Sequence, residues 1–256
     1  MVGYTDCDVS APRYSPEGLR IAFPTVRTVP NSPGQPWEFL PALGMMASDG
    51  TGLEERASPV RYDRLAWSPA GDQLLLQRNI RTPDYSQPTA IFLASLDGTE
   101  VTQLTPEWTQ APDWSTTGEI AYSRADPTCP SLCEDIWVTR VGATPRRLTY
   151  RGGFNPSWSP HGTKLAFTRW TKPGQVDIYL MGKDGRGLRR LTYRRGLNPS
   201  WSPDGKRIAF IRDNDLYVVR TSGRGLRRLV NEPPVDEVYG LGPQVTSVDW
   251  QALPPR

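Results

Sequence analysis

The chain has 256 residues, of which 37% are hydrophobic, 23 are Gly and 26 are Pro. That is enough for one large domain or two small ones, with too many chain breakers for long helices. Three cysteines cannot staple a disulfide scaffold, a net charge of +3 does not announce a polyanion partner, and no apolar run is long enough for a membrane span.

Taken from the N-terminus, Met1 to Ser10 lacks the basic then apolar profile of a signal peptide, so the sequence by itself assigns no export route. From there a repeat takes over. An aromatic followed by a short turn recurs at Tyr14, Trp67, Trp114, Trp158 and Trp201, with a sixth aromatic at Trp250, at spacings of 53, 47, 44, 43 and 49 residues. Each of the first five is followed by a Ser-started, Gly-ended turn such as Ser202-Pro203-Asp204-Gly205 and an apolar run such as Arg207-Ile208-Ala209-Phe210. A variable loop, a run such as Asp177 to Met181, the turn Asp184-Gly185 and an ending such as Leu188 to Thr192 complete the unit. These pieces are short, rich in β-branched and aromatic residues, and bounded by turn residues, so each reads as a strand. Four antiparallel strands, here A to D, repeated every 40 to 50 residues or so predict an all-β chain, a β-propeller. The units fall at about 7–59, 60–106, 107–150, 151–194 and 195–232, with a closing strand at 245–250.

The count of strands leaves two architectures. The favoured one is an incomplete six-bladed propeller whose last blade needs strands from before Met1; the alternative has five blades. The aromatic ending each A strand is expected to wedge between neighbouring blades.

Along the chain, the A to B and C to D turns are short and stereotyped, whereas the B to C and D to A loops vary. Variable loops on a rigid repeat are where binding residues tend to sit. The first such loop, Val26 to Ala42, carries Trp37, Phe39 and Leu40; later ones carry Trp108, then Tyr150, Arg151 and Phe154, then Lys172, then Tyr193, Arg194 and Arg195. Tyr, Trp and Arg are the residue types that most often anchor protein interfaces, and these predict a protein or peptide partner. Arg151, Lys172, Arg194 and Arg195 make one sector basic, while Glu232, Asp236 and Glu237 make the last loop acidic.

Chemistry is signalled mainly by omission. His161 is the sole histidine and lies in an A to B turn, which speaks against a Ser-His-Asp triad or a His-ligated metal; no cofactor is expected. Cys129 and Cys133 share one loop and are either a local disulfide or two thiols. Arg78, Arg124, Arg169 and Arg212 recur on strand B opposite Asp135, Asp177 and Asp215 on strand C, with Ala90 facing Arg78, and predict one cross-strand ion pair per blade. Arg146-Arg147, Arg189-Arg190 and Arg227-Arg228 read as charge guarding the outer strand edge and not as nucleic-acid contacts.

Trp158-Ser159-Pro160-His161-Gly162 with Lys164 to Phe167, and Trp201 to Gly205 with Arg207 to Phe210, resemble the repeat of TolB-type β-propellers. Unit three, with Ser115-Thr116-Thr117-Gly118, lacks the Pro, and unit one has Tyr14 for Trp. The resemblance implies the propeller fold and a periplasmic or extracellular interaction module that is not an enzyme. It equally extends to propellers attached to peptidases, whose catalytic domain would be absent here, and to carbohydrate-binding lyase propellers.

Overall fold

A computed structural model describes residues 12–29, 38–57, 62–80, 88–97, 101–126, 133–229 and 249–250. The described residues build five four-stranded antiparallel sheets, each in plain meander order. The first holds β1 (Arg13–Tyr14), β2 (Arg20–Val29), β3 (Glu38–Ala47) and β4 (Glu54–Ala57). The second holds β5 (Tyr62–Trp67), β6 (Gln73–Asn79), β7 (Thr89–Ser95) and β8 (Val101–Gln103). The third holds β9 (Thr109–Trp114), β10 (Ile120–Asp126), β11 (Cys133–Thr139) and β12 (Arg146–Arg147). In the fourth are β13 (Phe154–Trp158), β14 (Lys164–Lys172), β15 (Gln175–Gly182) and β16 (Arg189–Arg190), and in the fifth β17 (Leu197–Trp201), β18 (Arg207–Arg212), β19 (Asp215–Arg220) and β20 (Arg227–Arg228). These are propeller blades, five in number among the described residues, which is the five-bladed alternative; the six-bladed reading is not confirmed. Of the expected closing strand, only Asp249 and Trp250 lie among the described residues, and neither is in a strand.

By its internal contacts the chain divides into two compact units, one running to Pro112 and the other starting at Asp113. Within the first, Ala22, Leu43, Tyr62, Leu65, Trp67, Leu74, Leu76 and Ala94 form one apolar core. Within the second, two cores lie between consecutive sheets, one around Trp158 and Phe167 and the other around Trp201 and Phe210. Two of the wedge aromatics reach back to the preceding blade: the Trp67 indole donates to the Arg13 carbonyl and the Trp201 indole to the Ser157 carbonyl, both at 3.0 Å, whereas the Trp114 and Trp158 indole N–H groups are buried with no partner among the described residues.

The serine of each A to B turn explains why the turn is so constant. Its side chain accepts the backbone N–H at the start of the second strand, from Arg20 to Ser15, Gln73 to Ser68, Glu119 to Ser115, Lys164 to Ser159 and Arg207 to Ser202, at 2.9 to 3.0 Å. Its carbonyl accepts the N–H of the turn glycine, whose φ lies between +61° and +81° in all five, a conformation that only glycine adopts without strain. The Leu-Thr ending has an equally local cause. Thr105, Thr149 and Thr192 accept the N–H of Ile91, Ile136 and Ile178 through their hydroxyls, fastening the chain beyond the last strand to the third strand.

Candidate partner-binding face

The loops expected to bind lie at the end of the blades where strand two meets strand three and where one blade passes to the next. Their shape rests on buried carboxylates. Asp177 is fully buried; its oxygens accept from Arg190 Nη2 at 2.6 Å and from the Thr192 hydroxyl at 3.0 Å, with Thr171 and Gln175 at 3.3 Å. One blade earlier, Asp135 pairs with Arg147 and accepts from the Thr149 hydroxyl at 2.6 Å and the Gly152 N–H at 3.1 Å. In the fifth blade Asp215 pairs with Arg228 at 2.6 Å, and that hydrogen bond holds the Arg228 pKa above its ordinary value.

Here the expected ion pairs are corrected. The register is as read, with Arg124, Arg169 and Arg212 directly opposite Asp135, Asp177 and Asp215. The carboxylates, however, turn to the second arginine of each outer strand, and in the third and fourth blades a threonine adds a further donor. The strand-B arginines instead lie over aromatic rings two residues along strand C: Arg78 over Phe92 at 3.7 Å, Arg124 over Trp137 at 5.1 Å, Arg169 over Tyr179 at 5.4 Å and Arg212 over Tyr217 at 4.9 Å. Arg147, Arg190 and Arg228 are therefore structural, not merely edge charge. Their outer neighbours also bond: Arg146 Nη2 donates to the Lys183 carbonyl at 2.7 Å, and Arg189 to that of Thr221.

The anticipated binding residues separate into three groups. Trp37 lies outside the described residues. Phe39 belongs to β3, since β2 and β3 pair as far as Val29 with Glu38, so the first loop is much shorter than expected. Trp108 is half-buried with φ +65°. Tyr150 and Tyr193 are 72% and 68% exposed, and each lies over the guanidinium that pairs with the buried carboxylate, Arg147 at 4.8 Å and Arg190 at 4.7 Å. Arg151, Lys172 and Arg194 are exposed, with Lys172 ending β14 and not in a loop.

Phe154 and Arg195 share a cleft. Between the fourth and fifth sheets opens a cavity of about 470 Å³ whose floor is Phe154, Trp170, Val176, Leu197 and Ile211. Its rim is Gly174, Arg195, Arg212, Asp213 and Asn214. Phe154 and Trp170 pack at 6.0 Å between centroids, yet Trp170 remains 57% exposed. Arg195 straddles the rim, donating to Asp213 Oδ1 and to the Gly174 carbonyl, both at 3.2 Å, while Arg212 Nε donates to the Arg195 carbonyl at 3.1 Å. Arg195 holds φ +66°, where the equivalent position one blade earlier is Gly152 at +90°. A non-glycine residue there costs about 1 kcal/mol, so the side chain is kept against a backbone penalty. Asp213 and Asn214, at φ +49° and +64°, form the two-residue turn that keeps this rim low.

Sequence reasoning missed Trp170. The signal was available in the alignment of repeats, where its register holds Asn79, Ala125 and Asp213 in the other blades. Cys133 is disulfide-bonded, and its partner lies outside the described residues, as do Cys129 and Cys7. His161 is exposed in the β13 to β14 turn, at the opposite end of the fourth blade from the cleft. Among the described residues no helix is long and apolar enough to cross a membrane.

The sequence profile of the TolB beta propeller domain matches residues 84–245. Among solved structures, a putative TolB from Agrobacterium tumefaciens aligns with a TM-score of 0.69 at 20% identity, over 88% of this chain and 81% of that one. TolB from Acinetobacter baumannii aligns with a TM-score of 0.68 at 16% identity, over 86% of this chain and 53% of that one. An acylaminoacyl peptidase from Pyrococcus horikoshii aligns with a TM-score of 0.62 at 14% identity, over 88% of this chain and 39% of that one. At these identities the likeness is one of fold. No curated protein matches the sequence.

Proposed function

The chain belongs to the TolB β-propeller domain family, and from that premise we propose that it is a non-catalytic interaction module. It grips a protein or peptide partner with the loops beside the cleft of the fourth and fifth blades, in a periplasmic or extracellular setting. The observation that carries the reading is the cleft itself: an aromatic floor left open, with an arginine held over it in a costly backbone conformation. Tyr150, Tyr193, Arg151 and Arg194 form an exposed surround of the residue types that anchor interfaces. A bonded Cys133 favours an exported compartment, because reducing compartments rarely keep a disulfide.

Photo-crosslinking tests the reading. Benzoylphenylalanine placed at Tyr193 or Lys172 is expected to trap a protein adduct in native cells, and the same probe at His161 or Thr163 none. Adducts from the turn positions alone would refute it.

A further inference from the structure

The cleft has a chemistry more specific than a general preference for protein. Its five floor residues are apolar, and its volume is that of one or two bulky side chains. Around it the charge is one-sided. Residues 113–229 carry 21 Lys and Arg against 10 Asp and Glu, a net +11, whereas residues 1–112 carry 8 against 13 and residues 230–256 carry 1 against 4. Three of those ten carboxylates, Asp135, Asp177 and Asp215, are buried and committed to Arg147, Arg190 and Arg228. At the mouth Arg195 and Arg212 face a single acid, Asp213, and Lys172 and Arg194 stand exposed on the adjoining segments.

We propose that the cleft receives an acidic peptide segment that inserts one aromatic side chain beside Phe154 and Trp170 while its carboxylates meet Arg195 and its cationic neighbours. This rests on the proposed function and narrows it. Arg195 is the exchangeable contact: its pair with Asp213 is open to solvent, with side chains 59% and 61% exposed, so a partner carboxylate competes for it at little loss. Bulk cationic charge steers the acidic segment, and the apolar floor fixes its register. A nucleic acid would satisfy the charge but fits the floor poorly. A base brings hydrogen-bonding edges that Val176, Leu197 and Ile211 cannot answer.

The test uses the full chain labelled with ¹⁵N and titrated with four probes: acetyl-Glu-Glu-Trp-Glu-amide, its Lys-Lys-Trp-Lys and Glu-Glu-Ala-Glu counterparts, and a six-nucleotide oligothymidine. The first is expected to shift the Gly174 and Gly196 amides and the Trp170 indole saturably, and to bind at least about fivefold tighter than the other three. Trp170→Ala should remove these shifts, and Arg195→Gly should weaken binding by about fivefold with the fold retained. Equal or tighter binding of the lysine peptide or the oligonucleotide, shifts confined to other residues, or no shifts at millimolar peptide would overturn it. If crosslinking traps a partner at Tyr193 and Lys172 but the peptides show no acidic preference, the narrower inference falls and the proposed function stands. If the acidic peptide fills the cleft while native adducts arise only from the turns, the proposed function falls.

Discussion

Replacing Asp177 with alanine strips the support from beneath the cleft, and its cost follows from the contacts. The fully buried carboxylate holds one guanidinium at 2.6 Å and the Thr192 hydroxyl at 3.0 Å, with two weaker donors at 3.3 Å. A hydrogen bond to a charged group is worth about 1.5 to 3 kcal/mol and a neutral one about 1, while removing a buried charge returns part of its desolvation. Arg190 is not stranded, since its side chain is 28% exposed and Nε still donates to the Thr192 carbonyl at 2.8 Å. The expected loss is therefore about 3 kcal/mol. Arg190→Ala should cost as much or more, about 3 to 5 kcal/mol, because it leaves the carboxylate buried with neutral donors only. Urea unfolding followed by tryptophan fluorescence measures both, and the double variant should fall short of their sum by at least about 1 kcal/mol. A loss below about 1 kcal/mol for Asp177→Ala, or strict additivity, would refute the assignment of Asp177 as the hub of this loop.

Four further outcomes are expected. Ser159→Ala should cost about 1 to 2 kcal/mol by calorimetry, since it removes the acceptor that closes the turn onto Lys164. Arg195→Gly should leave stability within about 0.5 kcal/mol of the parent, as relief of the left-handed backbone offsets greater freedom in the unfolded chain. Burial pushes the Tyr122 hydroxyl up to about 12, so the folded chain keeps a proton that the unfolded chain loses near pH 10. The contribution of Tyr122 to stability is then constant below pH 10 and declines from there towards pH 12, by about 2 to 3 kcal/mol. Tyr122→Phe should abolish that decline and be close to neutral at pH 7, because the hydroxyl has no hydrogen-bond partner among the described residues. Peptide mapping without reductant should find Cys133 joined to Cys129, and a Cys133 thiol in native material would remove the support for export.

The blades were legible because their signals are local. A serine that closes its own turn, a glycine at positive φ and a threonine that fastens the third strand leave a mark at each repeat. Blade number depended on a strand at 245–250, largely outside the described residues, and strand content alone did not decide it. The direction of the Asp135, Asp177 and Asp215 side chains was hidden for another reason. Pairing register gives the residue opposite but not the donor a carboxylate turns to: all three meet the outer-strand arginine, and Thr149 and Thr192 add a hydroxyl for two of them. The cleft was half visible: Phe154 and Arg195 stood out by type, whereas Trp170 and Ile211 join them only through the packing of neighbouring sheets, which strand pattern alone does not give.

The most direct test is calorimetric titration of the crosslinked partner, once purified, against variants of the two ends of the fourth and fifth blades. Trp170→Ala should lose about 30-fold in affinity, the equivalent of about 2 kcal/mol, while Thr163→Ala and Asp204→Ala in the turns bind as the parent does. Undiminished binding by Trp170→Ala together with loss in the turn variants would place the partner on the opposite end and contradict the account.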